Sequence, residues 1–482
     1  MRTFVAREFS AFMNGTLSPR TLYAPRPGAP KKNCGAAAAG ASGPSGVPER
    51  RRAPARRFSL DGSPGHPFYS SRGFKQVSRP NGPRKARHDL MIKGRSIVCF
   101  ANDWHGDPTS KHQIMRVLAR ENTVLWVNSI GLRRPTLGKG DVGRMAAKLR
   151  SFVRGAERIG DRFYVFTPVV IPFHDSSVAR AVNGALLALS LRYYRVKLRM
   201  RDVICWSYMP NVEYIVKRMK PSFVLYHCVD EWSKFSFIDE AILEKEEALC
   251  RAADLVLASA RELYDRKRAW NPRTHYLPHG VDYDYFHSAP DDAATPPDLA
   301  PVPKPIVGFF GLIHEWIDLD LLESVMKRLP RASFVFIGKS SVDVSRLARL
   351  PNAHFLGQKR YDELVSYARS FDVGLVPFKI NDLTVNVNPI KLKEYLALGI
   401  PVVSVDLPEV RPYGRVVNVA ADAEGFARAI ERELSGDRRA SRAEIDRVAR
   451  EETWDRKVEE ISALIEERMR DRRAPQRGGG SG

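Results

Sequence analysis

No apolar run in this 482-residue chain reaches the roughly 18 positions that a membrane-crossing helix requires. The most apolar stretch, NGALLALSL at 183–191, is only about half that long, so a spanning segment is excluded from the reading. Cysteine is scarce. The five cysteines (Cys34, Cys99, Cys205, Cys228 and Cys250) are odd in number and form no Cys-x-x-Cys pair. That excludes a disulfide framework and a thiolate zinc site, and it points to a reducing compartment, the cytoplasm. No Walker A pattern is present, and the Gly-x-Gly-x-x-Gly match at 138–143 does not directly follow an expected strand, which argues against an ATPase and an ordinary dinucleotide enzyme.

What the chain does have is positive charge, +22 in all. Its location matters more than its size. Residues 1–90 hold 17 Lys/Arg against 4 Asp/Glu, within a Pro-, Gly-, Ala- and Ser-rich stretch without periodicity. Such a stretch buries too little apolar surface to order itself, and it reads as a disordered basic tail. Met91 then opens a patterned sequence, MIKGRSIVCFA. With the charge gathered in a tail and no helix-turn-helix, RNP-like or zinc-finger signature, a nucleic-acid-binding protein is the alternative and not the preferred reading.

From residue 95 onward, short apolar runs alternate with helical patterns. The expected strands of the first half are 96–101, 123–128, 162–167, 203–207, 223–227, 255–259 and 274–278. A Pro- and Asp-rich linker follows at 288–305, and the pattern restarts at 306–310, 333–337, 353–356, 373–377, 401–405 and 416–419. Strands apolar on both faces and separated by helices predict parallel, doubly wound sheets. The expected organisation is therefore α/β, with a tail at 1–90 and two Rossmann-like domains, 91–287 and 306–435. C-terminal helices at 436–470 and a tail at 471–482 complete it. A ligand cleft belongs between the carboxyl ends of the two sets of strands.

Three features of the second domain fall on that rim. Gly311 follows the first strand in GFFGLIHEW, where a missing side chain lets backbone approach a ligand. Lys339 follows the second in FIGKSS. The third is NVNPIKLKEYLALGIPVVSVD (386–406), in which Asn388 reads as an N-cap, Pro389 as the first helical residue and Gly399 as the stop. Lys391 and Lys393 then sit in a first turn that already carries the positive end of the helix dipole, an arrangement suited to an anion. Lys391 and Glu394 share a face, whereas Lys393 points largely elsewhere. A diphosphate for the lysines and sugar hydroxyls for the carboxylate is the natural pairing.

PHGVD before the linker, GFFG after it and NPIKLKEYLALGIPVVS together resemble the GT-B-fold glycosyltransferases, in particular bacterial family-4-like enzymes of exopolysaccharide and teichuronic-acid-type assembly. The resemblance is clearest over 300–420, extends plausibly from 95 and does not touch 1–90. It implies a nucleotide-diphosphate sugar donor in the second domain, an acceptor in the first, and a final helix (TWDRKVEEISALIEERM) crossing back to the first domain. On the matching positions, Lys391 would neutralise donor phosphate, Glu394 would bind ribose and Asn388 would join them in donor binding. Lys339 would be a second phosphate group, Gly311 would give room, and backbone near Gln358 would hold the base. One departure stands out. Where retaining family members carry Glu-x7-Glu, the position eight before Glu394 is Asn386, so the anomeric outcome stays open.

For the proton of an acceptor hydroxyl, two loops of the first domain offer groups. ANDWHGDPTSKHQ supplies Asp103, His105 and Asp107; YHCVDEWSKF supplies Asp230 and Glu231. Asp230 is the favoured base or acceptor-positioning group, since related enzymes show a similar Tyr-x-x-Val-Asp stretch, with Asp103 and His105 behind it. Helix capping explains any one of these carboxylates equally well, and His279 reads as a packed loop histidine. The acid pairs at 318–320 and 282–284 read as an ordinary first helical turn and a turn, so neither metal nor other cofactor is expected. Basic amphipathic segments at 142–160 and 186–201 suit a solvated face, or a peripheral seat on the inner leaflet beside a lipid-linked glycan acceptor. A sugar-nucleotide epimerase on the same fold is the enzymatic alternative.

Overall fold

A computed structural model describes residues 91–106, 108–129, 151–152, 154–170, 177–234, 242–287 and 295–473. The basic stretch 1–90, Asp107, residues 130–150 with the start of the basic segment 142–160, residues 288–294 of the expected linker, the short stretches 153, 171–176 and 235–241, and residues 474–482 lie outside the described residues. The first sheet comprises β1 (Ser96–Phe100), β2 (Thr123–Val127), β3 (Glu157–Arg158), β4 (Phe163–Phe166), β5 (Ile204–Ser207), β6 (Phe223–Cys228), β7 (Leu255–Ala258) and β8 (Thr274–Tyr276). Their order is β3-β4-β2-β1-β5-β6-β7-β8, parallel throughout except for β3, which runs antiparallel to β4. The strand β3 is the one element here that periodicity does not announce: it has two residues, both charged and exposed.

The second sheet is all parallel: β9 (Ile306–Phe310), β10 (Ser333–Ile337), β11 (Ala353–Gly357), β12 (Val373–Val376), β13 (Val402–Val405) and β14 (Val417–Ala420), in the order β11-β10-β9-β12-β13-β14. Chain direction across the sheets reverses between β1 and β5 and between β9 and β12. At such switch points the two neighbouring connections leave to opposite faces and open a crevice at the carboxyl ends.

Both faces of each sheet are covered, which explains why the strands read as continuous apolar runs. Along β6, Val224, Tyr226 and Cys228 enter one core layer while Phe223 and Leu225 enter the opposite one, the two-residue alternation of a strand. The second of those layers is closed by the last helix, Trp454–Arg473, which inserts Trp454, Val458, Ile461 and Ile465 beside Ile97, Trp126 and Leu257 of the first domain. Each such buried side chain contributes roughly 1.5–3 kcal/mol. The preceding helix, Arg442–Glu451, instead places Ile445 and Ala449 in the second domain's core. Between the two helices the chain crosses at Glu452 and Thr453. There Val281 donates to the Glu452 carbonyl (2.7 Å) and Trp454 donates back to the Val281 carbonyl (3.2 Å).

Candidate active-site cleft

The second-domain edge is built from backbone. Beyond β9 and β10 the two chains stay paired: Ile313 N–H donates to the Lys339 carbonyl (3.0 Å) and Ser341 N–H to that of Ile313 (2.8 Å). Gly311 and Gly338 make this possible. Both lie in the left-handed region (φ 142° and 147°), and a Cβ on Gly338 would stand 1.9 Å from the Gly311 oxygen, which no side chain tolerates. A Cβ on Gly311 would come within 3.2 Å of Lys391 Cε, so the room left by this glycine is what the lysine stem uses.

The helix Ile390–Ala397 points its first turn at this rim. Lys391 Nζ is 2.8 Å from Glu394 Oε2 and 4.7 Å from the Phe310 ring centre. Its side chain keeps 24% of its surface exposed, against 7% for Glu394. The two residues that share a helix face thus form one charged pair, open to solvent at the lysine end. Lys339 and Gln358 stand exposed after β10 and β11. The Gly357 carbonyl accepts from Gly338 N–H (2.9 Å), which ties the loop before Gln358 to the glycine rim.

Two expectations for this helix need correction. Asn388 is not its N-cap: the helix starts at Ile390, Pro389 occupies the cap position, and Asn388 is buried one step further out. Its amide donates to Glu409 Oε2 (2.5 Å), and its side-chain oxygen accepts from His279 N–H (3.3 Å). Proline at the cap leaves Asn388 extended, so its side chain turns from the helix toward the domain boundary. Lys393 goes the same way. Only 1% exposed, it donates to the His279 carbonyl and lies 3.1 Å from Glu452. Burial pulls its ammonium down to about 8 despite the Glu452 charge. Asn388 and Lys393 therefore hold the seam between domains, leaving Lys391 and Glu394 for a ligand.

Glu409 completes that seam. Buried, it also accepts from Arg261 N–H (2.6 Å) and Tyr276 hydroxyl (2.7 Å), both in the first domain. Across the cleft mouth, Lys234 meets Asp382 (2.9 Å) and Gln113 donates to the Tyr361 hydroxyl (3.4 Å). None of these partners is marked by a local motif.

The first-domain edge is built from side chains. Asp230 follows β6 with its carboxylate about one-third exposed and 3.9 Å from Lys111 Nζ. Lys111 opens the helix Ser110–Leu118, is almost buried, and lies between the rings of Tyr208 and Trp232. Under it His227 stacks on Tyr208 at 4.9 Å, with neither ring nitrogen hydrogen-bonded. Burial, aided by the Lys111 charge, lowers the His227 imidazole to about 3. His279 is likewise held well below its ordinary value by burial and by Lys393, so both stay neutral near pH 7. Ile390, at the start of the second-domain helix, packs against the layer containing Trp206, Tyr208 and Val229. Ile390 thereby sets the start of the Lys391–Glu394 helix against the layer that holds Tyr208, beside Lys111, and Val229, next to Asp230.

The remaining candidates separate. Glu231 is buried and structural, accepting from Ser233 (2.7 Å) and Arg266 (3.0 Å). Asp103 accepts from Ser129 N–H (3.1 Å), and His105 contacts Glu157 (2.9 Å) on the exposed outer rim. Asp107 lies outside the described residues. Asp318 caps the helix Leu319–Arg328 by accepting from Asp320 and Leu321 N–H, and Asp320 pairs with Arg346 (2.5 Å). Asp282 accepts from Tyr285 N–H (3.4 Å) at the helix Tyr283–His287, where Asp284 sits in the first turn. Among the described residues no group of three His, Cys, Asp or Glu side chains gathers at metal-binding distance. Asn386, in the place of the first glutamate of Glu-x7-Glu, is fully buried and donates to the Asp382 carbonyl (2.6 Å).

Two parallel-sheet domains closing a cleft, with a lysine-bearing helix at the second domain's switch point, define a GT-B architecture. Residues 304–435 match the family described as Glycosyl transferases group 1. Over 211 residues it is 29% identical to a Bacillus subtilis protein, TuaH, whose name describes it as a teichuronic acid biosynthesis glycosyltransferase. The match covers 39% of this chain and 53% of that relative, so the chain spans about half the length of the curated relative it matches. Among solved structures, Anabaena HepE with UDP and glucose superposes with a TM-score of 0.57 at 13% identity, over 77% of this chain and 100% of that one. An E. coli trehalose-6-phosphate protein bound to UDP-2-fluoro-glucose gives 0.55 at 12%, over 78% and 99%. At such identities these two establish the fold.

Proposed function

We propose that the protein is a glycosyltransferase that moves a hexose or uronic acid from a nucleotide diphosphate to a growing glycan. The observation that carries this reading is the Lys391–Glu394 pair, set 2.8 Å apart beneath the side-chain-free rim of Gly311 and Gly338. A diphosphate fits that rim because backbone and ammonium both meet anionic oxygen there. Lys391 neutralises the leaving diphosphate, Glu394 takes the ribose hydroxyls, Lys339 adds a second cation, and the chain near Gln358 receives the base. Asp230 accepts the acceptor hydroxyl's proton as the new bond to the anomeric carbon forms and the bond from that carbon to the phosphate oxygen breaks. The nucleoside diphosphate then leaves against Lys391. Lysines supply the positive charge in this scheme, so it uses no metal.

The family of residues 304–435 and the UDP bound to structural neighbours support the donor. The name of the Bacillus relative supports a place in cell-surface polysaccharide assembly, and the acceptor proposed with it is a lipid-linked glycan at the inner leaflet. Calorimetry with UDP, GDP and ADP tests the donor site directly. One of them binds at micromolar affinity, and Lys391→Ala and Glu394→Ala each weaken it at least ~10-fold, the ~1.4 kcal/mol of one charge-assisted hydrogen bond. A folded protein that binds none of the three overturns the assignment.

A further inference from the structure

The helix Ser177–Lys197 has two apolar faces, and the fold uses only one. Leu187, Leu191 and Tyr194 enter the first domain's core. On the other side Val178, Leu186, Leu189, Tyr193 and Val196 are between 43 and 74% exposed. At 3.6 residues per turn these five fall within an arc of about 80° and run along about 27 Å of helix. A single exposed leucine is ordinary, but a continuous stripe of this length marks a contact surface.

Charge says what it contacts. From Ser177 to Arg201 the chain carries six Lys/Arg and no Asp/Glu. Arg192 and Lys197 project on opposite flanks of the stripe, and Lys197 Nζ lies 5.5 Å from the Tyr193 ring. Arg195 is turned inward to the Met219 carbonyl (2.9 Å), so it is the flanking pair that faces outward. An apolar centre bordered by cations, with a tyrosine at the edge, is what an interfacial helix presents to anionic headgroups. No helix among the described residues is long and apolar enough to cross a membrane, so the contact is one of lying on the surface.

We infer that this outward face seats the first domain on an anionic lipid surface, with the stripe in the acyl boundary and Arg192 and Lys197 at the headgroups. This deepens the reading above by naming the membrane-facing surface, and it rests on that reading for its purpose but not for its test.

The test is co-sedimentation of the full chain with vesicles of phosphatidylglycerol and phosphatidylcholine, and of phosphatidylcholine alone, at low and at ~0.5 M salt. High salt screens attraction through the basic residues 1–90, whereas apolar insertion persists. The wild type is expected to stay on the mixed vesicles at high salt and, at low salt, to bind phosphatidylcholine at least 10-fold more weakly than the mixed vesicles. Leu186→Glu/Leu189→Glu/Val196→Glu is expected to lose at least 10-fold at high salt. Arg192→Glu/Lys197→Glu is expected to reduce the preference for phosphatidylglycerol at low salt, where the basic residues 1–90 still supply part of it. These positions are exposed, so nucleotide affinity and the thermal transition should be unchanged; that separates failure here from failure of the transferase reading. Wild-type release from all vesicles at high salt, or a triple variant that binds as wild type does, overturns the inference. So does a stable dimer that the triple variant dissociates, because the stripe then belongs to a second copy of the chain.

Discussion

The two edges of the cleft are made by opposite means. The second-domain edge consists of two glycines, their carbonyl ladder and one helical turn, and everything polar in it is open to solvent or one step from it. The first-domain edge consists of Lys111, Tyr208, His227 and Asp230, drawn from the ends of two strands and the start of a helix. Most of it is buried. On the proposed function the two ligands are met differently: one by a preformed backbone cradle that accepts a charged group common to many donors, the other by a side-chain wall whose shape is particular to this chain.

If the edges are separable in this way, Asp230→Asn should lower turnover by about 100-fold or more, the usual contribution of a positioned proton acceptor. Nucleotide affinity, measured by calorimetry, should stay within about twofold, because the donor cradle does not contain Asp230. An equal loss in nucleotide affinity would merge the two edges into one site. The seam gives the next largest effect. Lys393→Ala removes a buried stem and strips donors from the His279 carbonyl and Glu452, which should destabilise by about 3 kcal/mol. Lys391→Ala, two residues away but open to solvent at its ammonium, should cost less, about 1 kcal/mol, through the lost pairing with Glu394. Chemical denaturation of both variants checks the pair.

The seam also carries a pH signature. Lys393 is held at about 8 by burial, below the roughly 10.4 of a free lysine. Between those values the unfolded chain binds the proton and the folded one does not, so stability from this group rises with pH. The wild type should therefore gain on Lys393→Ala between pH 8 and 10. Taking the difference between the two proteins removes the buried thiols Cys205 and Cys250, which burial pushes upward and which act in the opposite sense.

Legibility from sequence follows the same division. The second-domain edge could be read because its parts are local. Gly311 comes directly after one strand, and Lys391 and Glu394 are one turn apart, so strand and helix period are enough to bring them together. Gly338 carries the same local signal as Gly311, a glycine directly after a strand. Asn388 was misplaced by one residue, the usual uncertainty of a helix end, yet that one residue moves it from ligand to seam. The first-domain edge was legible only as Asp230 after a strand. Lys111 and Glu409 become functional through contacts with partners more than 100 residues away, a pairing that no periodicity records. His227 looked like one polar residue ending an apolar strand, and its lack of partners exists only in three dimensions.

That lack of partners is the finest test of the comparison. His227 is buried, stacked on Tyr208, faced by Lys111 and near His279, and without a hydrogen bond at either ring nitrogen. A polar group buried this way costs about 1–3 kcal/mol, so replacing it with an apolar ring of similar shape should be nearly neutral at pH 7 or slightly stabilising. His227→Phe should therefore shift neutral-pH stability by no more than about 1 kcal/mol. At lower pH the two proteins should diverge. Burial holds the imidazole at about 3, so below its ordinary 6.5 the unfolded chain takes up a proton that the folded chain refuses, and the wild type loses stability as pH falls. The variant lacks that loss and should become the more stable of the two between pH 6.5 and 4. His112, also held at about 3, is present in both and cancels. Turnover decides what the wall is for. Retained activity in His227→Phe makes the buried ring scaffolding behind Lys111 and Asp230. Lost activity with stability preserved means the ring reaches the acceptor when it binds, and the first-domain edge is then a polar site closed over its ligand.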